Sequence, residues 1–282
     1  MAVEVEIRKE GKGDELLLKS FIGEKLAIGA YDDSWRFQVG KTGENMVVID
    51  PERPGRGIMI HLDPNDRSSV KLKLPIPAAP HDVEVFVDVV TRVAKEWDAA
   101  IWTEAGDSMP AGVFATNENN IKDFNDKAFK EVTKNLIDGK APSFCIFAAN
   151  WPLYLSVEDA KKLKGDTEAF GKWLSDKQSI DAYYASPRFY MKDGKVIGRY
   201  IIMSDCRAIF PKAPSVPYGM THEGRPLECD DYKVVIGTEE EMIGEIGFEE
   251  FKSKLPSAKV SGYDKNDILI EELSEDELRS MV

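Results

Sequence analysis

The chain has 282 residues, enough for one large or two modest domains, and its 43% hydrophobic content excludes wholesale disorder and fibrous architecture. Fifty Asp and Glu against 37 Lys and Arg leave a net charge of −13, a field that repels phosphate polyanions and disfavours nucleic-acid or anionic-membrane binding. The three cysteines, Cys145, Cys206 and Cys229, show no C-x-x-C spacing, offer no disulfide or zinc-ribbon framework, and fit a reducing, cytoplasmic setting.

The amino terminus alternates apolar and charged residues at Val3, Val5 and Ile7, which predicts a strand and not a secretory signal. Trp35–Val39, a turn at 42–45 and Met46–Ile49 read as a hairpin, and Ile58–Leu62 and Val70–Leu74 as further strands bounded by turn formers. After the prolines at 75, 77 and 80, Val83, Phe86, Val87, Val90, Ala94 and Trp97 recur at helical spacing, with Asp82 favouring the positive end of the helix. The same stretch alternates at Val83, Val85, Val87 and Val89, so a strand is the competing reading. Ala99–Trp102 reads as a strand, and 119–138 as an amphipathic helix stopped by Gly139. Ala141–Val157 is nearly uncharged but shorter than the roughly 20 residues of a membrane-spanning helix.

Ser143–Ala148 reads as a buried strand, and Ser156-x-x-Asp159 as the cap of a helix that Gly165 interrupts. Asp193-Gly194 predicts a hairpin with a type I′ turn. Thr238-x-x-Glu241 and Ser274-x-x-Glu277 both fit the capping box. Ile28–Phe37 and Ile180–Phe189 share six identities in ten, and proline clusters follow both, which suggests two related halves. The expected fold is α+β, with mostly antiparallel sheets and helices packed on one face. An N-terminal half at 1–145 and a C-terminal half at 146–282 are expected, with Pro211–Pro217 as the alternative boundary.

Arg56-Gly57-Ile58 opening a strand, then Leu72-Lys-Leu74-Pro75, Pro77 and Pro80, then a long helix with Asp82, Phe86 and Lys95, resembles an uncharacterised family of bacterial proteins of about this length. The resemblance covers residues 56–100 and implies a cytoplasmic α+β protein of a domain-of-unknown-function type. It carries no activity or catalytic residue to any position here.

Phosphate-binding loops, zincin and serine-hydrolase signatures are absent from the sequence, and no motif calls for a cofactor. Among three histidines, His61 stands two residues from Asp63, so imidazole and carboxylate at a strand end could share a metal, with Asp66 as a third ligand. His81 reads as a neutral surface residue in the first turn of a helix. Asp205, Cys206, Arg207, His222, Glu223 and Cys229 are the best catalytic cluster, because an arginine lowers a thiol's pKa and a histidine could serve as its base. Cys206 at the end of an apolar run also reads as an inert core residue. Trp151 and Tyr154, around Pro152, could form an exposed anchor for a partner or pack in the core.

Residues 239–282 hold thirteen Asp and Glu against five Lys and Arg. This excess, with Glu239, Glu240 and Glu241 at its head, points to a non-enzymatic module that binds a basic protein partner, in the manner of an inhibitor or immunity protein. A thiol or metal enzyme around Cys206 and His222 is the alternative.

Overall fold

The computed structural model describes residues 1–9, 21–31, 37–63, 65–217, 220–222 and 224–282. The chain forms two compact units, Met1–Ile180 and Asp181–Val282.

The N-terminal unit runs through β1 (Ala2–Arg8), β2 (Ala27–Tyr31), β3 (Phe37–Val39), β4 (Asn45–Ile49), β5 (Ile58–Asp63) and β6 (Asp66–Pro75), then α1 (Pro80–Trp97), β7 (Ala100–Thr103) and β8 (Ser108–Met109). These strands make one antiparallel sheet in the order β3-β2-β4-β5-β6-β1-β7-β8. Period-2 patterning decides its faces: Val70, Leu72 and Leu74 of β6 are buried, while Lys71 and Lys73 between them are exposed. Against the apolar face lies α1, whose Val83, Phe86, Val90 and Val93 have no exposed surface. Each contributes about 1.5–3 kcal/mol by leaving water. Helical period thus prevails over β-branched propensity, because this stripe has a sheet to cover.

The expected hairpin of Trp35–Val39 with Met46–Ile49 does not form. β2 stands between β3 and β4 and pairs with both, since Ala27–Tyr31 supplies the missing apolar strand; Trp35 itself lies outside the described residues. Beyond the sheet come α2 (Ala111–Ala115), α3 (Glu118–Ile137), the hairpin β9 (Ser143–Phe147) and β10 (Pro152–Ser156), α4 (Val157–Leu163) and α5 (Thr167–Gln178). β9 pairs with β10 across the position expected for the boundary, 145/146, and the division between units falls instead after Ile180.

The C-terminal unit contains β11 (Tyr183–Tyr184), β12 (Arg188–Lys192), β13 (Lys195–Met203), β14 (Ala208–Pro211), β15 (Thr221–His222), β16 (Arg225–Pro226), β17 (Asp231–Gly237) and β18 (Met242–Gly247). It closes with α6 (Phe248–Lys254), β19 (Val260–Gly262), β20 (Asp267–Ile270) and α7 (Glu275–Arg279). Two four-stranded sheets result, β11-β14-β20-β19 and β12-β13-β17-β18, in which β11 with β14 and β13 with β17 are parallel. Their shared core centres on Tyr200, Phe210 and Phe248, with ring centroids 5.0–5.4 Å apart. At the β12–β13 turn, φ of 51° at Asp193 and 75° at Gly194 are the left-handed pair that a type I′ turn requires.

The protein is α+β, with mostly antiparallel sheets. The echo between residues 28–37 and 180–189 does not extend to a common topology: β2 has two antiparallel neighbours, whereas β11 pairs in parallel with β14. Pro75–Pro80 leads into the 18-residue α1, while Pro211–Pro217 leads into short strands.

Candidate functional site

The β17–β18 connection holds the acidic residues singled out by charge. Glu239, Glu240 and Glu241 are all exposed. The Thr238 hydroxyl accepts from the backbone N–H of Glu240 (3.2 Å) and of Glu241 (3.1 Å), and Thr238 N–H donates to the Glu241 carbonyl (2.9 Å). Only the hydroxyl half of the expected capping box is present: the Thr238 N–H meets the Glu241 carbonyl and not its carboxylate, and what the bonds close is a strand-to-strand turn, not a helix start. Arg279 of α7 pairs with both Glu241 and Glu275.

Salt bridges neutralise much of the remaining acidic stretch: Glu245 with Arg199, Glu249 with Lys252, Glu250 with Lys254, Glu271 with Arg207 and Glu277 with Lys259. Glu239 and Glu240 have no cationic partner among the described residues. Exposed Glu272 and Asp276 also lack one among the described residues, so Glu239 and Glu240 stand out as the adjacent pair at a hairpin tip.

No hydrogen bond among the described residues joins the members of the candidate thiol site to one another. Cys206 is exposed in the link between β13 and β14 and is not the core residue that its apolar neighbours suggest, because Asp205 (φ 54°) turns the chain outward there. His222 is exposed in the hairpin β15–β16, and no hydrogen bond among the described residues joins it to Cys206. Arg207 pairs with Glu271 (2.9 Å), and the Cys229 thiol donates to the Asp231 carbonyl (3.0 Å); Glu223 lies outside the described residues.

At the candidate metal position, His61 Nδ1 meets Asn45 Oδ1 (2.9 Å), and Asp63 accepts from the Asn65 N–H (2.8 Å) as a turn former. Among the described residues no group of three or more His, Cys, Asp or Glu is placed to hold a metal; the Asp66 side chain is outside them. Trp151 and Tyr154 are half-buried. Gln178 fastens the chain at Trp151, its amide donating to the Trp151 carbonyl (3.1 Å) and accepting from the Asn150 N–H (2.7 Å).

Two features were not legible in the sequence. The first is a buried knot behind α1. Asp82 accepts from the Arg56 N–H (3.0 Å) and the Ala79 N–H (3.1 Å), while the Arg56 guanidinium donates to the carbonyls of Pro77 (3.0 Å) and Phe147 (3.2 Å). Burial pushes the Asp82 carboxyl above its ordinary range against these hydrogen bonds, and brings Arg56 down to about 10, so the guanidinium stays charged at neutral pH. The motif residues Arg56, Pro77 and Asp82 meet in this knot, and their role is structural. Beside it His81, expected at the free surface, is half-buried with Nε2 2.6 Å from Asp50.

The second is a cleft of about 420 Å³ lined by Lys122, Asn125, Asp126, Lys130, Lys164 and Thr167 among others. Its groups are largely engaged already. Thr167 donates to Asp126, Lys122 pairs with Glu84 and Glu118, and Asn125 is spent on both backbone groups of Ala78.

No helix among the described residues is long and apolar enough to cross a membrane. No curated protein and no solved structure matches the chain. A family model does match, over residues 2–281, nearly the entire length. The chain belongs to that family, the domain of unknown function DUF4299.

Proposed function

We propose that this protein is a non-enzymatic binding module whose acidic β17–β18 turn docks a basic protein partner. The observation that carries the reading is the pair Glu239 and Glu240: exposed, held by the Thr238 hydrogen bonds, and without a cation among the described residues in a stretch where most acids have one. Such a pair keeps its charge for a partner and loses little conformational freedom on contact.

The test is recovery of partners by the tagged protein from lysate of the source cells, at 100 and 500 mM salt, beside the variant Glu239→Lys/Glu240→Lys. A stoichiometric basic partner held at the lower salt, and lost both at the higher salt and in the variant, is the expected result. Equal recovery by the variant would contradict the reading.

A further inference from the structure

The sheet β12-β13-β17-β18 turns Tyr200, Ile202, Val234 and Ile236 into the core, so the alternate residues share its other face. That face carries five cations in like-charged register. Arg188 lies directly opposite Arg199, Arg199 opposite Lys233, and Lys192 opposite Lys195. Like charges placed directly across a strand pair repel. Arg199 is offset by Glu245 (2.6 Å) and by the Tyr190 ring 4.3 Å beneath it, and Lys233 by Asp231 (3.0 Å). Arg188, Lys192 and Lys195 are exposed and form no salt bridge among the described residues, though Lys195, after Lys233, helps hold the Asp231 carboxyl below its ordinary range.

In a chain with 50 acids and 37 bases, three cations facing cations are an unsatisfied arrangement that an arriving anionic group would relieve. A pair of exposed carboxylates without a cation among the described residues stands beyond the other end of the same sheet. β13 and β17 run in parallel from the Lys195 end toward Met203 and Gly237, after which the chain turns through Glu239 and Glu240. At about 3.3 Å per residue along β13, Lys195 stands eight steps, about 26 Å, and Arg199, the partner of Arg188, four steps, about 13 Å, from Met203. Both spans exceed the Debye length of about 10 Å at 0.1 M salt. Salt therefore screens the two patches from each other within one molecule, and does so far less where they meet between molecules.

We infer that the cationic end of this sheet docks the Glu239–Glu240 turn of a second copy of the chain, head to tail. The inference rests on the reading of that turn as a contact surface, and names its partner. Made reciprocally, each copy's turn on the other's cations, the contact closes a two-fold dimer; made once per pair, it extends to chains or a ring.

Sedimentation velocity of the full chain over a range of concentrations, at 100 and 500 mM salt, tests it with two charge-swap variants. One is Glu239→Lys/Glu240→Lys; the other is Arg188→Glu/Lys192→Glu/Lys195→Glu, at exposed positions. The wild type is expected to associate with rising concentration at 100 mM salt and to sediment as a monomer at 500 mM. Each variant alone is expected to be monomeric, and an equimolar mixture to associate again, a recovery that only folded variants can give. A wild type that is monomeric throughout, or variants that associate as it does, would overturn the inference. If self-association fails while Glu239→Lys/Glu240→Lys still loses a partner recovered from lysate, only the second-copy assignment falls; if neither is seen, the docking reading falls with it.

Discussion

At the scale of single residues, the strongest constraints are buried charges that no local pattern announces. Asp82 is legible in the sequence as an acid in the first turn of a helix, and it does occupy that place. Its bond to Arg56, 26 positions earlier, depends on how the sheet brings β5 against α1, and no period or spacing encodes that. The knot leaves no room at Gly55, where an added Cβ would lie 2.3 Å from an Asp82 carboxylate oxygen. Gly55→Ala should therefore destabilise the N-terminal unit by about 1–3 kcal/mol, as an overpacked site does, measurable as a lower urea midpoint.

Asp267 gives a second residue-scale prediction. It is 1% exposed, and burial, reinforced by the neighbouring Asp264, pushes its carboxyl up to about 8 from an ordinary value of 3.8. The folded chain then holds a proton that the unfolded chain releases, so the folded state binds more protons between about pH 4 and pH 8 and this group's contribution falls as pH rises through that window. Asp267→Asn mimics the protonated acid, and its stability relative to the wild type should increase from pH 5 to pH 9 in urea titrations. A pH-independent difference would show that Asp267 ionises normally in the folded chain.

At the scale of elements, legibility follows how local the signal is. Ser156 and Ser274 were readable as caps because a hydroxyl and a carboxylate three residues apart satisfy the same few N–H groups wherever a helix starts; Ser156 and Asp159 make this exchange at 3.0 and 3.1 Å. Ser156→Ala should cost about 1 kcal/mol, seen as a lower thermal midpoint. Thr238 shows the limit of the signal, since the same hydroxyl geometry also closes a turn between strands. What decides is the flanking chain: Val234-Val235-Ile236 arrives as a strand and Ile243–Ile246 leaves as its partner. The hairpin at Asp193-Gly194 was legible for the same local reason. Which strand stands between β3 and β4 was not, because strand order is set by long-range burial.

At the scale of the whole molecule, composition conveyed the acidic excess but not its distribution. Pairing in three dimensions engages Glu241, Glu245, Glu249, Glu250, Glu271, Glu275 and Glu277, and leaves Glu239 and Glu240 as an adjacent unpaired couple among the described residues. The division after Ile180 was likewise not legible, because it is set by long-range packing: Asp181–Val282 has its own core of Tyr200, Phe210, Phe248 and Phe251. A fragment of residues 181–282 should therefore unfold cooperatively on its own in a thermal melt monitored by circular dichroism. A featureless melt would show that the unit depends on the remainder of the chain.

On the proposed function, Glu239 and Glu240 are held in readiness for a cationic surface. Carboxyl footprinting of the protein, free and in the assembly recovered at 100 mM salt, tests it most directly, with Glu104 and Asp107 as exposed reference sites on the other unit. Glu239 and Glu240 should lose most of their labelling in the assembly while the reference sites keep theirs; unchanged labelling at the turn in an assembly that demonstrably forms would contradict the claim.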